Sequence, residues 1–361
     1  MIPEHWRHAA LSPPNAWGSG PLATGALRTS PEDFDVEEIL GFEASGAGPH
    51  ALLTVRKRGA NTEWVARELA RAAGCKPFEV GFAGLKDRHA LTTQAFTVPR
   101  GKRAAEEFIG LAGEGYEVLA AAAHQRKLPR GALEGNRFRI TVRDLRCDAG
   151  ELQERIAAIG SGGVPNYFGP QRFGREAGNL ADVLRAAQAI SQRAGQDGAA
   201  RGRGRGGDQG FLLSAARSLI FNAVLAERIG RGDWNRLLPG DVANLDGRGS
   251  VFAVPAADAE LERRCAALEI HPTAPLAGEG DSLAAGEVRA LEESVAARFP
   301  EALQVIQAAG MKSERRALRM RVAGLTQEYG DGILRIGFSL PAGSFATAVL
   351  REIIGVADAG E

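Results

Sequence analysis

Asp87 is the residue whose type and setting are best suited to chemistry. It directly follows Lys86, within the segment GFAGLKDRHALTTQAFTV at positions 81–98. A carboxylate at the mouth of a strand, after a loop interrupted by glycines, can act as a nucleophile or as a base. A lysine–aspartate pair in a loop is more often a solvated turn, so the local pattern alone does not decide between the two interpretations. The segment does not have the spacing of a Walker phosphate-binding loop, because aspartate follows its lysine where that loop has serine or threonine.

The residues after Asp87 predict the strand that positions it. Side-chain types alternate with a period of two across 92–98, which is typical of a strand. The same alternation predicts strands over 136–143 and 333–340. The glycines at 81 and 84 predict a backbone that turns tightly or lets another group come close.

Asn136 and Phe138 lie on one face of the predicted strand that follows Gly135. An asparagine that begins an apolar strand face can hydrogen-bond the edge of a base, and an aromatic beside it can stack on that base. Closure of a turn after Gly135 is the alternative role for Asn136, and local pattern favours neither. Phe138 is the weaker candidate of the two.

This strand lies within a positively charged segment of the chain. The whole chain has 44 basic and 44 acidic residues and no formal net charge, so overall attraction to nucleic acid is not indicated. Between positions 124 and 146, however, seven arginines or lysines accompany only two carboxylates. Such a surface can contact phosphates, although runs of charge are more often solvated faces.

The bulk composition describes an ordinary globular protein. The 361 residues are 44% hydrophobic and 24% charged, enough for one large or two medium domains. Three widely separated cysteines and six histidines form no metal-binding spacing, so we predict a reduced, cytoplasmic protein without a metal site. The start of the chain has no signal-peptide core. The most apolar predicted helix, at 212–229, contains Arg217 and Glu227, so we predict no membrane span.

A segment rich in glycine and proline, GSGGVPNYFGPQRFG at 160–174, predicts a hinge between domains. It also contains Arg172, a candidate for the cation that pairs with Asp87. Further along, the tract AGQDGAARGRGRGGDQG at 194–210 has neither an apolar period nor caps and predicts a loop. Its arginines could contact RNA or could simply be solvated, and no role is assigned to them.

The segment GFAGLKDRHALTTQ resembles the signature of the TruD family of transfer RNA pseudouridine synthases, Gly-x-Lys-Asp-x-x-Ala-x-Thr-x-Gln. All of the fixed positions are present, namely Gly84, Lys86, Asp87, Ala90, Thr92 and Gln94. Other blocks of the family occur in order along nearly the whole chain, namely PEDFDVEE, GNRF, VPNYFGPQRFG, LSAARSLIFN and LPAGSFAT. The resemblance is therefore both specific and extensive.

The resemblance implies roles for particular residues. It makes Asp87 the catalytic nucleophile and places Asn136 against the substrate. It also implies that Phe34 and Phe345 shape the uracil pocket, where packing in the core and at a helix start are the respective alternatives. Lys86, Phe138 and Arg172 are possible supporting residues. Because side chains of adjacent residues diverge, the cation that pairs with Asp87 is expected to be Arg172 or Arg28 rather than Lys86.

The resemblance also implies a fold and a reaction. The fold is of the α/β (α+β) class, with a catalytic domain split between residues 1–161 and 320–361 around an inserted α/β domain at 162–319. The catalytic sheet is expected to be mixed and largely antiparallel. The reaction is isomerisation of uridine to pseudouridine at position 13 in the D arm of transfer RNA, without a cofactor. Transfer RNA is the implied partner, and neither a membrane nor an obligate protein partner is implied.

Two other classes of function stay open at this point. One is a non-catalytic RNA-binding protein in which Asp87 is incidental. The other is a carboxylate-dependent nucleosidase or glycosidase, which typically needs a second catalytic carboxylate near the first. The segment around Asp87 offers only that one acid, which counts against the second class.

Overall fold

The computed structural model describes residues 1–194 and 207–357 of the chain. The α-helices in these residues are α1 (Glu4–Leu11), α2 (Thr62–Ala73), α3 (Ala149–Gly162), α4 (Gly178–Ala194), α5 (Gly207–Gly230), α6 (Ala259–Ala266), α7 (Gly286–Ala296), α8 (Pro300–Ala308) and α9 (Ala346–Leu350). The β-strands are β1 (Ala23–Ala26), β2 (Phe34–Ile39), β3 (His50–Arg58), β4 (Gly81–Phe82), β5 (Leu91–Pro99), β6 (Ala112–Gly113), β7 (Tyr116–His124), β8 (Gly135–Val142), β9 (Val164–Pro165), β10 (Asp241–Leu245), β11 (Val251–Val254), β12 (Ile270–Leu276), β13 (Glu314–Ala317), β14 (Arg319–Met320), β15 (Ala323–Gly330), β16 (Ile333–Pro341) and β17 (Ile354–Ala357).

The chain divides into two compact units. The helical unit comprises Met1–Pro21, Ala157–Arg321 and Thr347–Glu352. The sheet unit comprises Leu22–Ile156, Val322–Ala346 and the described residues from 353 onward. This division differs from the predicted one in two places, because Met1–Pro21 and Thr347–Glu352 both group with the helical unit. The assignment of one unit as catalytic and the other as an insertion stays a prediction.

The sheet unit is built on a mixed sheet with the strand order β15-β16-β8-β2-β5-β3-β7-β6, and β4 pairs with β5. Neighbouring strands are antiparallel except for β2 and β5, which are parallel. The predicted mixed, largely antiparallel sheet and the α+β class are thus confirmed. The strands predicted at 92–98, 136–143 and 333–340 are β5, β8 and β16.

The sequence predicts a helix that is capped by Asn61 or Thr62 and ended by Gly74, and α2 matches this prediction with Asn61 as the cap. The Asn61 side chain accepts a hydrogen bond from Glu63 N at 2.9 Å, which satisfies one of the free amides of the first turn. Gly74 ends the helix with φ +70°, a left-handed conformation that glycine adopts without steric cost. The exact start of α2 matters for the site, because it places Thr62 at the first helical position.

Three predictions from local pattern were wrong. Residues 1–21 are rich in proline, glycine and alanine and predict an irregular lead-in, but they contain α1, whose Trp6 packs against Phe299 with 5.9 Å between ring centroids. The pattern at 285–309 predicts one long helix, but the segment forms two helices, because Pro300 cannot continue the first. The segment LPAGSFATAVLREIIG predicts a strand that turns into a helix ending at Gly355, but that helix is the short α9, and Gly355 lies in β17, which pairs with β1 in parallel.

The helical unit packs its core around α5. The middle of this helix, from Leu219 to Leu225, is buried apart from Ala223, and β11-β10-β12-β13 form the unit's own sheet. By length and composition the part from Gly210 to Gly230 is apolar enough to span a membrane, contrary to our expectation, but a buried core helix passes the same criterion. The Gly/Arg tract is described only at its ends: residues 195–206 lie outside the described residues, and 207–210 begin α5.

The two glycines before Asp87 differ in their surroundings, and this gives a matched pair of mutations. A methyl group on Gly81 would collide with Thr97 Oγ1 and would lie 2.6 Å from Leu128 O. A methyl group on Gly84 would meet no atom within 4 Å. We expect Gly81→Ala to lower the free energy of unfolding by about 2–3 kcal/mol through overpacking, and Gly84→Ala to change it far less. Urea denaturation of the two variants checks this, and equal losses would contradict it.

Candidate functional site

Asp87 lies in the loop between β4 and β5, held from two sides. Its Oδ1 accepts a hydrogen bond from His89 N at 2.9 Å, and its Oδ2 lies 3.1 Å from Arg28 Nη2. The Asp87 side chain is 33% exposed, so it is anchored and still accessible to a substrate. Of the two cations considered for this role, Arg28 forms the ion pair. Arg172 belongs to the helical unit, where its Nη1 donates to Ser214 Oγ.

Arg28 is held in an unusual conformation. Its φ of +57° is in the left-handed region, which costs a residue other than glycine about 1 kcal/mol or more. Its guanidinium lies over the Phe34 ring, with 4.5 Å from Cζ to the centroid. Its Nε is buried and has no hydrogen-bond partner among the described residues. Backbone strain of this kind persists where surrounding contacts enforce it, and such positions cluster at functional sites.

A row of aromatic rings lies beside this ion pair on one face of the sheet. Phe34 and Phe138 contact edge to face at 6.3 Å between centroids, and Phe138 and Phe338 are 5.3 Å apart. All three side chains are buried. Phe34 therefore packs in the core and supports the guanidinium that binds Asp87, and its role in shaping a uracil pocket stays a prediction.

Lys86 points away from Asp87, as expected for neighbouring residues, and pairs with Glu38 instead. The two charged atoms are 2.7 Å apart, and the side chains are only 10% and 1% exposed. The second oxygen of Glu38 accepts a hydrogen bond from Ala95 N at 3.0 Å. This buried pair anchors the Asp87 loop to the two central strands β2 and β5. Glu38 was not predicted as a site residue, although a carboxylate on the same face of β2 as Phe34 and Val36 was a signal for one.

Thr62 connects the same loop to α2. Its Oγ1 accepts hydrogen bonds from Lys86 N at 3.1 Å and Lys57 Nζ at 3.2 Å, and donates to Gln94 Oε1 at 3.2 Å. Gln94 Nε2 in turn donates to Gly84 O at 2.6 Å. The loop backbone is thus bound on both sides of Leu85. Thr62 and Lys57 were also missed as site residues, although a lysine on the apolar face of β3 is itself a signal.

Lys57 is a buried cation beneath the loop, and this makes the stability of the protein depend on pH. Burial lowers the pKa of Lys57 from 10.5 to about 8, and the charge of Lys86 adds to the effect, while Glu38 and Asp87 oppose it. Below pH 8 the lysine is protonated in both the folded and the unfolded chain, so the full cost of burying its charge is present. Between pH 8 and 10.5 the folded form loses the proton first, so the free energy of unfolding rises.

We therefore expect Lys57→Met to remove this pH dependence. Relative to the variant, the wild type should gain stability on the order of 3 kcal/mol as pH rises across the range from 8 to 10.5. Urea denaturation at intervals from pH 7 to 10.5 measures the difference. Lys102→Met, at an exposed lysine, is the matched control and should run parallel to the wild type. A constant difference between the wild type and Lys57→Met over this range would contradict the expectation.

Asn136 lies on the same sheet face, directly across from Glu38 in β2 and Leu340 in β16. Its Oδ1 is buried and has no hydrogen-bond partner among the described residues. Phe345 is half-buried in the turn after β16. The start of this turn is bound to Glu134, the residue before β8, by the hydrogen bond from Ala342 N to Glu134 O at 2.9 Å. The sheet thus brings Asn136 to the face that the Asp87 loop covers, and Phe345 follows at the end of β16 nearest to Asn136.

The arginine face of β8 lies on the opposite side of the sheet and is paired with acids. Arg139 Nη1 lies 3.0 Å from Asp35, and Arg137 Nη1 lies 3.2 Å from Glu37. Farther along, Arg143 pairs with Asp33 at 2.8 Å. Of the two interpretations given to this face, the solvated sheet surface fits better than a phosphate contact, because the neighbouring strand β2 supplies carboxylates in register that neutralise its arginines.

Comparison with known proteins identifies the family. The profile of "tRNA pseudouridine synthase D (TruD)" matches residues 18–185 and 209–353, which include Asp87 and every residue of the site described above. The chain belongs to the TruD family. The two matched segments leave out residues 186–208 and with them most of the Gly/Arg tract. The family resemblance of the signature around Asp87 is thereby confirmed.

Individual TruD proteins match over nearly their full length. The tRNA pseudouridine synthase D of Methylococcus capsulatus is 45% identical over 333 residues, covering 91% of each chain. That of Xanthomonas euvesicatoria is 44% identical over 356 residues, covering 96% of this chain and 95% of its own. A crystal structure from Methanosarcina mazei, assigned as tRNA pseudouridine synthase D, superposes with a TM-score of 0.74 and covers 98% of both chains. Its 23% identity supports the shared fold alone.

Proposed function

We propose that this protein isomerises uridine to pseudouridine in transfer RNA, at position 13 in the D arm, with Asp87 as the nucleophile. The observation that carries the proposal is that Asp87 occupies the aspartate position of the TruD signature and is also the accessible, ion-paired carboxylate of the site. A carboxylate that is fixed by Arg28 and His89 N is pre-oriented for attack, and holding a reacting group in position lowers the barrier of the reaction.

The proposed reaction exchanges one bond of the nucleotide for another. The bond between N1 of uracil and C1′ of ribose breaks, the base rotates in its pocket, and C5 bonds to C1′. The proton on C5 is released and N1 gains a proton, so no oxidant, reductant or cofactor is consumed. Three first steps are compatible with the position of Asp87. They are attack of its carboxylate on C1′ of the ribose, attack on C6 of the base, and removal of a proton from the sugar.

The remaining site residues would hold the base. A target in a stem must leave the base stack, at a cost of a few kcal/mol. Stacking on an aromatic ring contributes roughly 1–3 kcal/mol per base and leaves the base free to rotate in its plane. Phe345, which is half-buried, is the candidate for this contact, while the buried rings of Phe34 and Phe138 would shape the wall of the pocket. Asn136 Oδ1, which has no partner among the described residues, would accept a hydrogen bond from N3–H of uracil.

Glu38 bears on the glycosidase alternative. It is the carboxylate brought closest to the Asp87 loop by the Lys86 pair, yet both of its oxygens are occupied and its side chain is 1% exposed. A second catalytic carboxylate needs access to substrate or water. Glu38 therefore fits a role in anchoring the loop and does not fit that of a catalytic acid.

Tritium release from transfer RNA labelled with [5-³H]uridine tests the proposed function directly, because C5 loses its hydrogen only if the base is reattached there. We expect stoichiometric release from substrates with uridine at position 13, and none from the same transfer RNA with cytidine at that position. Binding without release would favour the non-catalytic RNA-binding protein. Appearance of free uracil would favour the glycosidase class, and either result would overturn the proposal.

A further inference from the structure

Two arginines of the helical unit converge on one aromatic ring. The guanidinium carbon of Arg316 lies 4.2 Å from the centroid of Phe168, and that of Arg172 lies 5.3 Å from it. Arg316 comes from β13, and Arg172 from the glycine-rich segment before α4. Both side chains are half-buried. The fold therefore places two positive charges next to each other at a partly enclosed site.

Neither arginine is neutralised by a carboxylate of the described residues. Arg172 Nη1 donates to Ser214 Oγ at 2.8 Å, and Arg316 donates from Nε and Nη2 to the backbone and side-chain oxygens of Asn166. Arg172 Nε is buried without a partner within the described ranges. Arg172 Nη2 and Arg316 Nη1 also make no hydrogen bond to a described residue. The pair thus retains donors that can reach a ligand.

Two neighbouring arginines of the same unit, unlike Arg172 and Arg316, are paired with carboxylates. Arg315, next in sequence to Arg316, forms a two-pronged pair with Glu292 at 2.7 and 2.9 Å. Arg217, one turn along α5 from Ser214, is bound to Glu314 at 3.0 Å and to two backbone carbonyls. Each of these guanidiniums has a carboxylate partner, buried in the case of Glu292 and exposed in the case of Glu314.

The charged form of the pair is destabilised by its surroundings. Burial, together with the nearby charge of Arg172, lowers the pKa of Arg316 to about 10. Burial also lowers the pKa of Arg172. An anion between the two guanidiniums would offset both the desolvation and the mutual repulsion.

The ring beneath the arginines is rigidly fixed. Phe168 N donates to Asn222 Oδ1 at 2.9 Å, and Asn222 Nδ2 donates back to Phe168 O at 3.0 Å. Asn222 is fully buried, and Phe221 packs edge to face against Phe168 at 5.5 Å. A binding group on such a platform loses little conformational entropy on binding, which favours recognition of a ligand over adaptable packing.

We infer that Arg172 and Arg316 form a binding site for a phosphodiester group of the RNA substrate. Guanidinium groups present planar pairs of donors that match the oxygens of a phosphate, and two of them can hold one phosphate from both sides. The inference rests on the proposed function for the choice of RNA as the source of the phosphate. It adds an RNA contact in the helical unit, outside the sheet face that carries Asp87.

Salt-dependent binding of transfer RNA tests the site, using Arg172→Gln, Arg316→Gln and the double variant. Glutamine keeps a donor for Ser214 or Asn166 and removes the charge. We expect each single variant to weaken binding roughly 10-fold and to reduce the slope of log affinity against log salt by about one. Arg263→Gln is the matched control, since Arg263 is exposed and pairs with Glu260 in the same unit. Its slope should equal that of the wild type.

Lysine variants and a phosphate-binding measurement complete the test. If a glutamine variant loses thermal stability, Arg172→Lys and Arg316→Lys replace it. These variants keep the charge but lose the planar guanidinium, so transfer RNA should bind more weakly with the wild-type slope of log affinity against log salt. Wild-type slopes in the glutamine variants overturn the inference. The second measurement is thermal stabilisation of the protein by inorganic phosphate at constant ionic strength. If the double variant loses this stabilisation but keeps the wild-type salt slope for transfer RNA, the site binds free phosphate, and the inference is overturned.

The same experiments separate this inference from the proposed function. Reduced slopes in the variants together with no tritium release by the wild type would leave the phosphate site standing and remove the isomerase. Tritium release by the wild type together with unchanged slopes would remove the phosphate site and leave the isomerase.

Discussion

Replacing Asp87 with asparagine should reduce tritium release from [5-³H]uridine transfer RNA to background while leaving transfer RNA affinity intact. Loss of a nucleophile typically lowers turnover by roughly 10⁴-fold or more. Asparagine has nearly the same shape and can still accept the hydrogen bond from His89 N, so the loop should keep its conformation. It cannot carry the negative charge that attack on the nucleotide requires. The effect should therefore appear in kcat and not in binding.

The control for this variant is Asp148→Asn. Asp148 also accepts hydrogen bonds from backbone amides just downstream, at 2.8 Å from Gly150 N and 3.0 Å from Glu151 N, but it lies outside the site. It should retain full turnover. Losing the partly exposed pair with Arg28 should lower stability by no more than about 1 kcal/mol, so thermal unfolding of Asp87→Asn should stay close to that of the wild type. Turnover by Asp87→Asn above about one hundredth of the wild-type rate would remove Asp87 from the role of nucleophile.

The sequence predicted the parts of this site that depend on local pattern. Alternation with a period of two identified β5, β8 and β16, and so placed Asn136 and Phe138 on one face. The signature around Asp87 identified the candidate nucleophile. A cap residue at Asn61 and a glycine at 74 gave the ends of α2. In each case the information lies within a few residues of the element concerned.

The parts that could not be predicted depend on contacts between distant residues. Lys86 reaches Glu38 across 48 positions, and Lys86 N reaches Thr62 across 24. Nothing local distinguishes Thr62 as a residue of the site rather than an ordinary start of a helix. The arginine face of β8 was identified by its period, but its neutralisation depends on the register that places Asp35 and Glu37 beside it. Register between strands is a tertiary property, and the sequence of one strand does not contain it.

Replacing Arg28 with methionine should lower kcat roughly 100-fold with little change in the affinity for transfer RNA. Methionine fills much of the same volume over Phe34, so the aromatic row should stay packed. The carboxylate of Asp87, however, would lose the contact at 3.1 Å that fixes its Oδ2. A displacement of a reacting group by about 1 Å is enough to cost about 10²-fold in rate. Because Arg28 and Asp87 are both partly exposed, the loss of stability should be small.

The lysine variant separates charge from geometry at this position. Arg28→Lys keeps a cation but has no planar guanidinium to lie over Phe34 while pairing with Asp87, so its kcat should fall between those of the wild type and Arg28→Met. Arg58→Met is the matched control, because Arg58 forms an exposed pair with Glu32 in the same unit and should leave kcat unchanged. Single-turnover rates at saturating transfer RNA measure the three variants. A wild-type rate for Arg28→Met would show that Asp87 is positioned without its ion pair, by the His89 hydrogen bond and the Lys86 anchor alone.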